Sequence, residues 1–388
     1  MDPASDERTS PLRPTVVPGM RWRLLGAALL FSLLSGSATP ASGLVERGSA
    51  VLLDAASGAE VARVAANGAV VAAVADGHGG WFVGGSFTRI GGQHRVALAH
   101  LLPTGTVDPG WQASIGSASG RRVAVYALAR AGGRLFVAGP FGRAGGLQRP
   151  GLAGLDTRTG DVLRHWAPQP RAWPDVTALT VAGRRLLVAR QWTYPVPGIT
   201  ALDTRTAKID WRWNPHLRLI GDAGNFSTLL PFRGRVFVAG SFRVARLDRS
   251  GLVALDARTG TPDRRWAPSI PNCSVCIGFA LLYGLAVSKQ RVYISGAFGR
   301  IDGEPRNGVA ALDPRTGALE RGWKPARGSH DVLRLALSGS RLYLGGSSGL
   351  WALDARSGAT LRLPPNHAPG TVLTLTPAGR HLLVTGRT

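Results

Sequence analysis

Along this chain one short phrase recurs in which an aspartate, an arginine, a threonine and a glycine keep fixed places. It reads "GLDTRTG" (154–160), "ALDTRTA" (201–207), "ALDARTG" (254–260), "ALDPRTG" (311–317) and "ALDARSG" (352–358). After the first four copies comes Trp-x-Pro, at Trp166, Trp213, Trp266 and Trp323. A carboxylate beside a guanidinium could move a proton or hold an anion. Five equal copies would mean five equal centres, and one reaction does not need them. The same residues make sense as joints. An Asp opening a turn accepts N–H bonds from two residues on, and Gly supplies the positive φ of a tight hairpin. Trp offers a large apolar face to a neighbour and Pro ends a strand. Asp156, Asp203, Asp256, Asp313 and Asp354, with the four Trp, are therefore assigned to the scaffold.

Two other sets could carry chemistry. Cys273 and Cys276 are the only thiols. A C-x-x-C pair is a redox centre at a helix N-terminus, or half a zinc site beside two further ligands. Here the flanks are Pro271 and the strand-like "FALLYGLAV", and no His lies near. A local disulfide in an exported protein is expected. Arg95, Arg149, Arg249 and Arg306 each stand six residues before a recurring Leu (Leu101, Leu155, Leu255, Leu312). As a ring of guanidiniums they could hold carboxylate or phosphate on a candidate anion- or partner-binding face. Alternatively each braces its own loop against backbone carbonyls. The chain has no H-E-x-x-H, G-x-S-x-G or Walker motif. It also lacks an Asp/Glu/Asn cluster rich enough for calcium. No catalytic residue, metal ligand or cofactor is predicted.

The elements that must position these residues are strands. Each unit runs from a short apolar stretch ("AVYALARA", 124–131) through a tight turn to a second ("LFVAG", 135–139). A loop then leads to the run ending in Leu-Asp, and a second turn to the run ending in Trp-x-Pro. Four short antiparallel strands in about 50 residues make a propeller blade. "AVLLDAASGAEVARV" (50–64) holds strands three and four of a unit, and the C-terminal "LVTG" (383–386) ends strand two of one. The fold predicted is an all-β, seven-bladed β-propeller of four-stranded antiparallel blades. Its N- and C-terminal strands share one blade, so no sheet edge is left free. The turns on one face are short. The loops on the other (88–95, 142–149, 216–225, 269–278) are long and varied, and binding is expected there.

"VGGSFTRIGGQHRVALAHL" (83–101) and "ISGAFGRIDGEPRNGVAALD" (294–313) resemble the delta-60 repeat of secreted bacterial propellers. The "ALDARTG…W" half is more weakly similar to the tryptophan-docking repeat of quinoprotein (pyrroloquinoline quinone) propellers. The first resemblance implies a fold and an exported location, without an activity. The second implies a redox cofactor held with calcium, a base Asp and a disulfide of neighbouring Cys. This chain departs from that set, because its Cys are two residues apart and its acids number 23.

The formal net charge is +23, and Lys208, Lys289 and Lys324 are the only lysines among 46 basic residues. Single interleaved Arg residues fit a solvated surface or attraction to an anionic one, and not a dedicated nucleic-acid patch. "MRWRLLGAALLFSLLSGSATPASG", from Met20, reads as a signal peptide ending near Ala38. Its apolar run is too short for a comfortable span. Residues 1–40 are assigned to that leader with an unneeded extension at 1–19, and 41–388 to one propeller domain. The expected product is a secreted or extracytoplasmic monomer, a non-catalytic scaffold for a protein or an anionic cell-surface polymer. The competing reading is a propeller enzyme, either a hydrolase or lyase or a quinone-type oxidoreductase.

Overall fold

Runs such as Arg341–Gly346 and Val292–Ala297 are mostly apolar or small and are buried on both faces along nearly their whole length. Such runs form inner strands, because a strand packed on both sides gains nothing from alternation. The computed structural model describes residues 48–387, except 119, 121, 170–171, 174, 192–197, 220–223, 245–246, 248–249, 271–280, 326–330 and 365–369. The leader, Arg249, Cys273 and Cys276 lie outside the described residues.

Among the described residues seven antiparallel sheets are built around long strands. The first contains Val70–Ala75, Trp81–Gly85 and Leu98–Leu101, and the second Ala127–Ala131, Arg134–Ala138 and Leu152–Asp156. Val176–Ala182, Arg185–Arg190 and Ile199–Asp203 make the third. Phe226–Phe232, Arg235–Val244 and Ser250–Asp256 are the main strands of the fourth. The fifth has Leu281–Val287, Val292–Ala297 and Val309–Leu312, and the sixth Val332–Ser338, Arg341–Gly346 and Gly349–Asp354. A short fourth segment is bridged to the third strand of the first five sheets, for example Leu155 to Val162 and Leu312 to Leu319. The seventh sheet joins the two ends of the chain: Thr371–Ala378, His381–Arg387, Gly48–Asp54 and Glu60–Ala66 lie side by side. Gly48 pairs with Arg387 and Asp54 with His381.

The core is divided into seven apolar clusters, and each is formed by two consecutive sheets. The seventh sheet meets the first through Leu52, Val64 and Leu383 on one side and Val70, Trp81 and Val83 on the other. Polar contacts also lock that seam. Thr385 Oγ1 donates to the Val70 carbonyl at 2.9 Å, and Trp81 Nε1 donates to the Thr376 carbonyl at 3.0 Å. The first strand of every sheet also touches the first strand of the next, and Thr371–Ala378 touches Val70–Ala75. The fold is an all-β propeller with no helix among the described residues. None of their elements is a helix long and apolar enough to cross a membrane.

Candidate functional site

The recurring aspartates hold turns. Asp256 Oδ1 accepts the N–H groups of Arg258 (2.9 Å) and Thr259 (2.7 Å), and Asp313 does the same with Arg315 (2.8 Å) and Thr316 (2.7 Å). Asp156, Asp203 and Asp354 repeat the pattern. Gly260 closes the turn in the left-handed region (φ 81) that a Cβ disfavours. The tryptophans dock onto the following sheet. Trp166 Nε1 donates to the Asp203 carbonyl at 3.3 Å and Trp213 to Ala257 at 3.2 Å. Trp266 donates to Asp313 at 3.2 Å and Trp323 to Ala355 at 3.1 Å.

These turns make stability depend on acid pH. Burial alone would raise the carboxyls of Asp203, Asp256 and Asp313, but the turn N–H and hydroxyl donors outweigh it and hold them below the ordinary range. A depressed folded value means the contribution is complete above the unfolded value, near 4. It is lost as pH falls through the folded value. Melting temperature is therefore expected to drop below about pH 4, and Asp256→Asn with Asp313→Asn to flatten that drop. An unchanged slope in the double variant would show that the turns do not set it.

Of the four arginines that the sequence suggests, the three among the described residues are turned toward their own loops. Arg95 donates to the carbonyls of His94 (3.0 Å), Asp108 (3.2 Å) and Pro109 (3.3 Å). Arg149 reaches Gln148 (2.9 Å) and Arg164 (2.8 Å), and Arg306 reaches Pro305 (2.8 Å) and Arg321 (3.3 Å). Arg95 and Arg306 are buried. Each ties its loop to the end of its own sheet. The exposed Arg89, Arg143 and Arg300, one per long-loop hairpin, likewise bond a carbonyl of their own turn, at Gly92, Gly146 and Gly303. Asp302 on that face accepts the N–H groups of Ser269 and Leu319, both at 2.8 Å.

The opposite face differs. The D-x-R turns present Arg158, Arg205, Arg258, Arg315 and Arg356, one in each of the second to sixth sheets, all exposed. Their backbone N–H groups cap the Asp, while their guanidiniums have no hydrogen-bond or ion-pair partner among the described residues.

The same face carries a cavity of about 440 Å³ between the turns of the first and second sheets. In it His100 Nε2 meets Asp76 Oδ2 at 3.0 Å and Nδ1 meets Asp108 Oδ2 at 2.8 Å. Both carboxylates are acceptors, so the ring satisfies both only with both nitrogens protonated. Burial would raise Asp76, but the N–H groups of His78 and Gly80 and the His100 ring hold it below the usual carboxylate range. Asp108 is lowered against burial by His100 and the Gly110 N–H. Phe82 stacks on the imidazole, with centroids 4.6 Å apart.

This arrangement replaces a joint found elsewhere. Opposite Phe136, Leu187, Phe237, Tyr293 and Tyr343 stand Gly154, Ala201, Ala254, Ala311 and Ala352, whereas opposite Phe82 stands His100. The third to fifth sheets pair the fourth-strand acid with a second-strand Arg: Asp210 with Arg185 (2.8 Å), Asp263 with Arg235 (2.7 Å), Glu320 with Arg291 (3.9 Å). In the first sheet that Arg position is Gly80, where a Cβ would lie 2.7 Å from Asp76 Oδ2 and 2.4 Å from the Leu101 carbonyl.

A family model described as outer membrane protein assembly factor BamB matches residues 46–382. The chain belongs to this family. Among solved structures it is similar to BamB from Moraxella catarrhalis (15% identity, 87% of this chain and 90% of that one, TM-score 0.47). It is also similar to the extracellular domain of the putative hybrid two component system BT4673 from B. thetaiotaomicron (13% identity, TM-score 0.52). That match covers 83% of this chain and 38% of the other. The WD40 beta propeller domain of Doa1 matches at 9% identity over 83% of this chain and 93% of that one, with TM-score 0.48. No curated protein matches the sequence. The BamB match agrees with the weaker, quinoprotein-type resemblance read from "ALDARTG…W". In this BamB-family chain the His100 cluster had one sequence signal: a His where the aligned phrases have Gly or Ala.

Proposed function

We propose that this chain is an exported, seven-bladed propeller, closed by its own two ends, that serves as a non-catalytic scaffold for an anionic partner surface. The observation that carries the reading is the set Arg158, Arg205, Arg258, Arg315 and Arg356. Successive sheets hold these exposed cations in one register, with guanidiniums that no acceptor among the described residues occupies. A guanidinium costs little to desolvate and matches carboxylate or phosphate in a fork, so a regular array suits an extended anionic surface. The formal charge of +23 adds long-range attraction. Family membership supports a role in holding other proteins. The long-loop arginines are already committed to their own carbonyls, which favours the short-turn face. The partner is an acidic protein surface or an anionic cell-surface polymer.

The full chain is expected to be retained on poly-glutamate beads and to sediment with anionic-lipid vesicles at low salt. At about 1 M salt, where the screening length is ~3 Å, retention should be lost. Absence of retention on both materials at low salt would refute the charge-based reading.

A further inference from the structure

The cavity between the first and second sheets has features that a turn-to-turn joint does not need. Trp111 is 1% exposed and packs on Phe82 like the docking tryptophans of later sheets. Its Nε1–H, unlike theirs, has no hydrogen-bond partner among the described residues. A buried donor left unpaired costs about 1–3 kcal/mol. Trp111 lines the cavity together with Thr157 and Arg158 of the next turn, where its counterparts find their carbonyl.

A second departure faces the first from the neighbouring sheet. Arg130 pairs with Leu135. The corresponding residues elsewhere are Ala75, Val181, Pro231, Val287, Leu337 and Pro377, all without charge. Arg130 Nε donates to the Ala75 carbonyl (3.1 Å) and Nη1 to Gly132 (3.0 Å), which fixes the guanidinium at the cavity wall and leaves Nη2 unspent. The acids are already satisfied. Asp76 Oδ1 accepts from His78 and Gly80 N–H, Asp108 Oδ1 from Gly110 N–H, and the remaining oxygens hold His100. Among the described residues three donors stay open, the Trp111 indole, Arg130 Nη2 and the Arg158 guanidinium, beside the His78 ring and the Thr157 hydroxyl, which can donate or accept.

We infer that this cavity binds a small organic carboxylate, up to the size of a sugar acid, with its carboxylate between Arg130 and Arg158 and an oxygen accepting from Trp111. Unspent donors call for an acceptor-rich ligand. Two carboxylates in the wall disfavour a dianion such as phosphate, so a single negative charge fits better. The volume is in the range that encloses a small molecule. The array of the other four exposed arginines plays no part in this site, so each reading can fail without the other.

The test follows the indole N–H signals of the full chain by two-dimensional NMR, with the Trp111 peak assigned by Trp111→Phe. D-glucuronate is the probe, with glucose and inorganic phosphate as comparisons. Glucuronate is expected to move the Trp111 peak saturably, and glucose to leave it in place. Arg130→Gln and Arg158→Gln should each weaken binding about tenfold, the scale of one charge-assisted contact, with melting temperature retained. A Trp111 peak that glucuronate does not move would overturn the site. So would wild-type affinity for glucuronate in both folded arginine variants. Phosphate acting as strongly as glucuronate would overturn the carboxylate assignment.

Discussion

Deleting residues 48–66 is expected to leave a chain that does not fold. The deletion removes Gly48–Asp54 and Glu60–Ala66, half of the seventh sheet's long strands, and exposes the inner edge of His381–Arg387. Val51, Leu52, Leu53 and Val64 are buried, and each is worth about 1.5–3 kcal/mol. Their loss, about 6–12 kcal/mol, is as large as the whole stability of an ordinary domain. The seams to the sixth and first sheets would open together, because Leu53 packs in one cluster and Leu52 in the other. Circular dichroism and hydrogen exchange of the deleted chain would show the outcome. Unaltered melting would mean that the ends do not close the ring.

The second large effect is Trp266→Ala. Trp266 is fully buried, sits edge-on to Phe237 at 5.1 Å and donates to the Asp313 carbonyl. Truncation leaves an unfilled cavity and an unpaired carbonyl, about 3–5 kcal/mol in total. In a domain of this size that lowers the melting temperature by about 4–7 °C. Trp111→Phe should cost about 1 kcal/mol less than Trp266→Phe, because the same volume is lost but the Trp111 N–H had no partner among the described residues, whereas that of Trp266 donates to Asp313. Equal losses in the two Phe variants would contradict the distinction between a closed joint and an open pocket.

The scaffold was legible in the sequence because its physics is local and repeated. The D-x-R-T-G turn needs only its own Asp and backbone, and "AVLLDAASGAEV" shows half a unit at the front of the chain. The arginines were harder, because a recurring Arg looks the same whether it faces water or a carbonyl. Arg95, Arg149, Arg249 and Arg306 share one register in the sequence; Arg249 lies outside the described residues, and the guanidiniums of the other three meet loop carbonyls within their own units. Arg158 and its counterparts lay inside the phrase assigned wholly to structure. That assignment accounts for their backbone N–H groups and leaves the side chains without a role. The cavity depends on contacts that no spacing reveals. His100 and Arg130 are thirty positions apart in different units, and each is a charged or polar residue where the repeat has a small or apolar one. Comparing units position by position exposes both departures; only the packed sheets show that they share one wall.

The central claim is tested most directly by comparing two arginine variants for retention on poly-glutamate beads at low salt. One carries Arg158, Arg205, Arg258, Arg315 and Arg356 changed to Ser, and the other Arg89, Arg143 and Arg300. Binding is predicted to be lost in the first and largely kept in the second, at equal melting temperatures. Loss in the second with retention in the first would place the contact on the long-loop face and contradict the account.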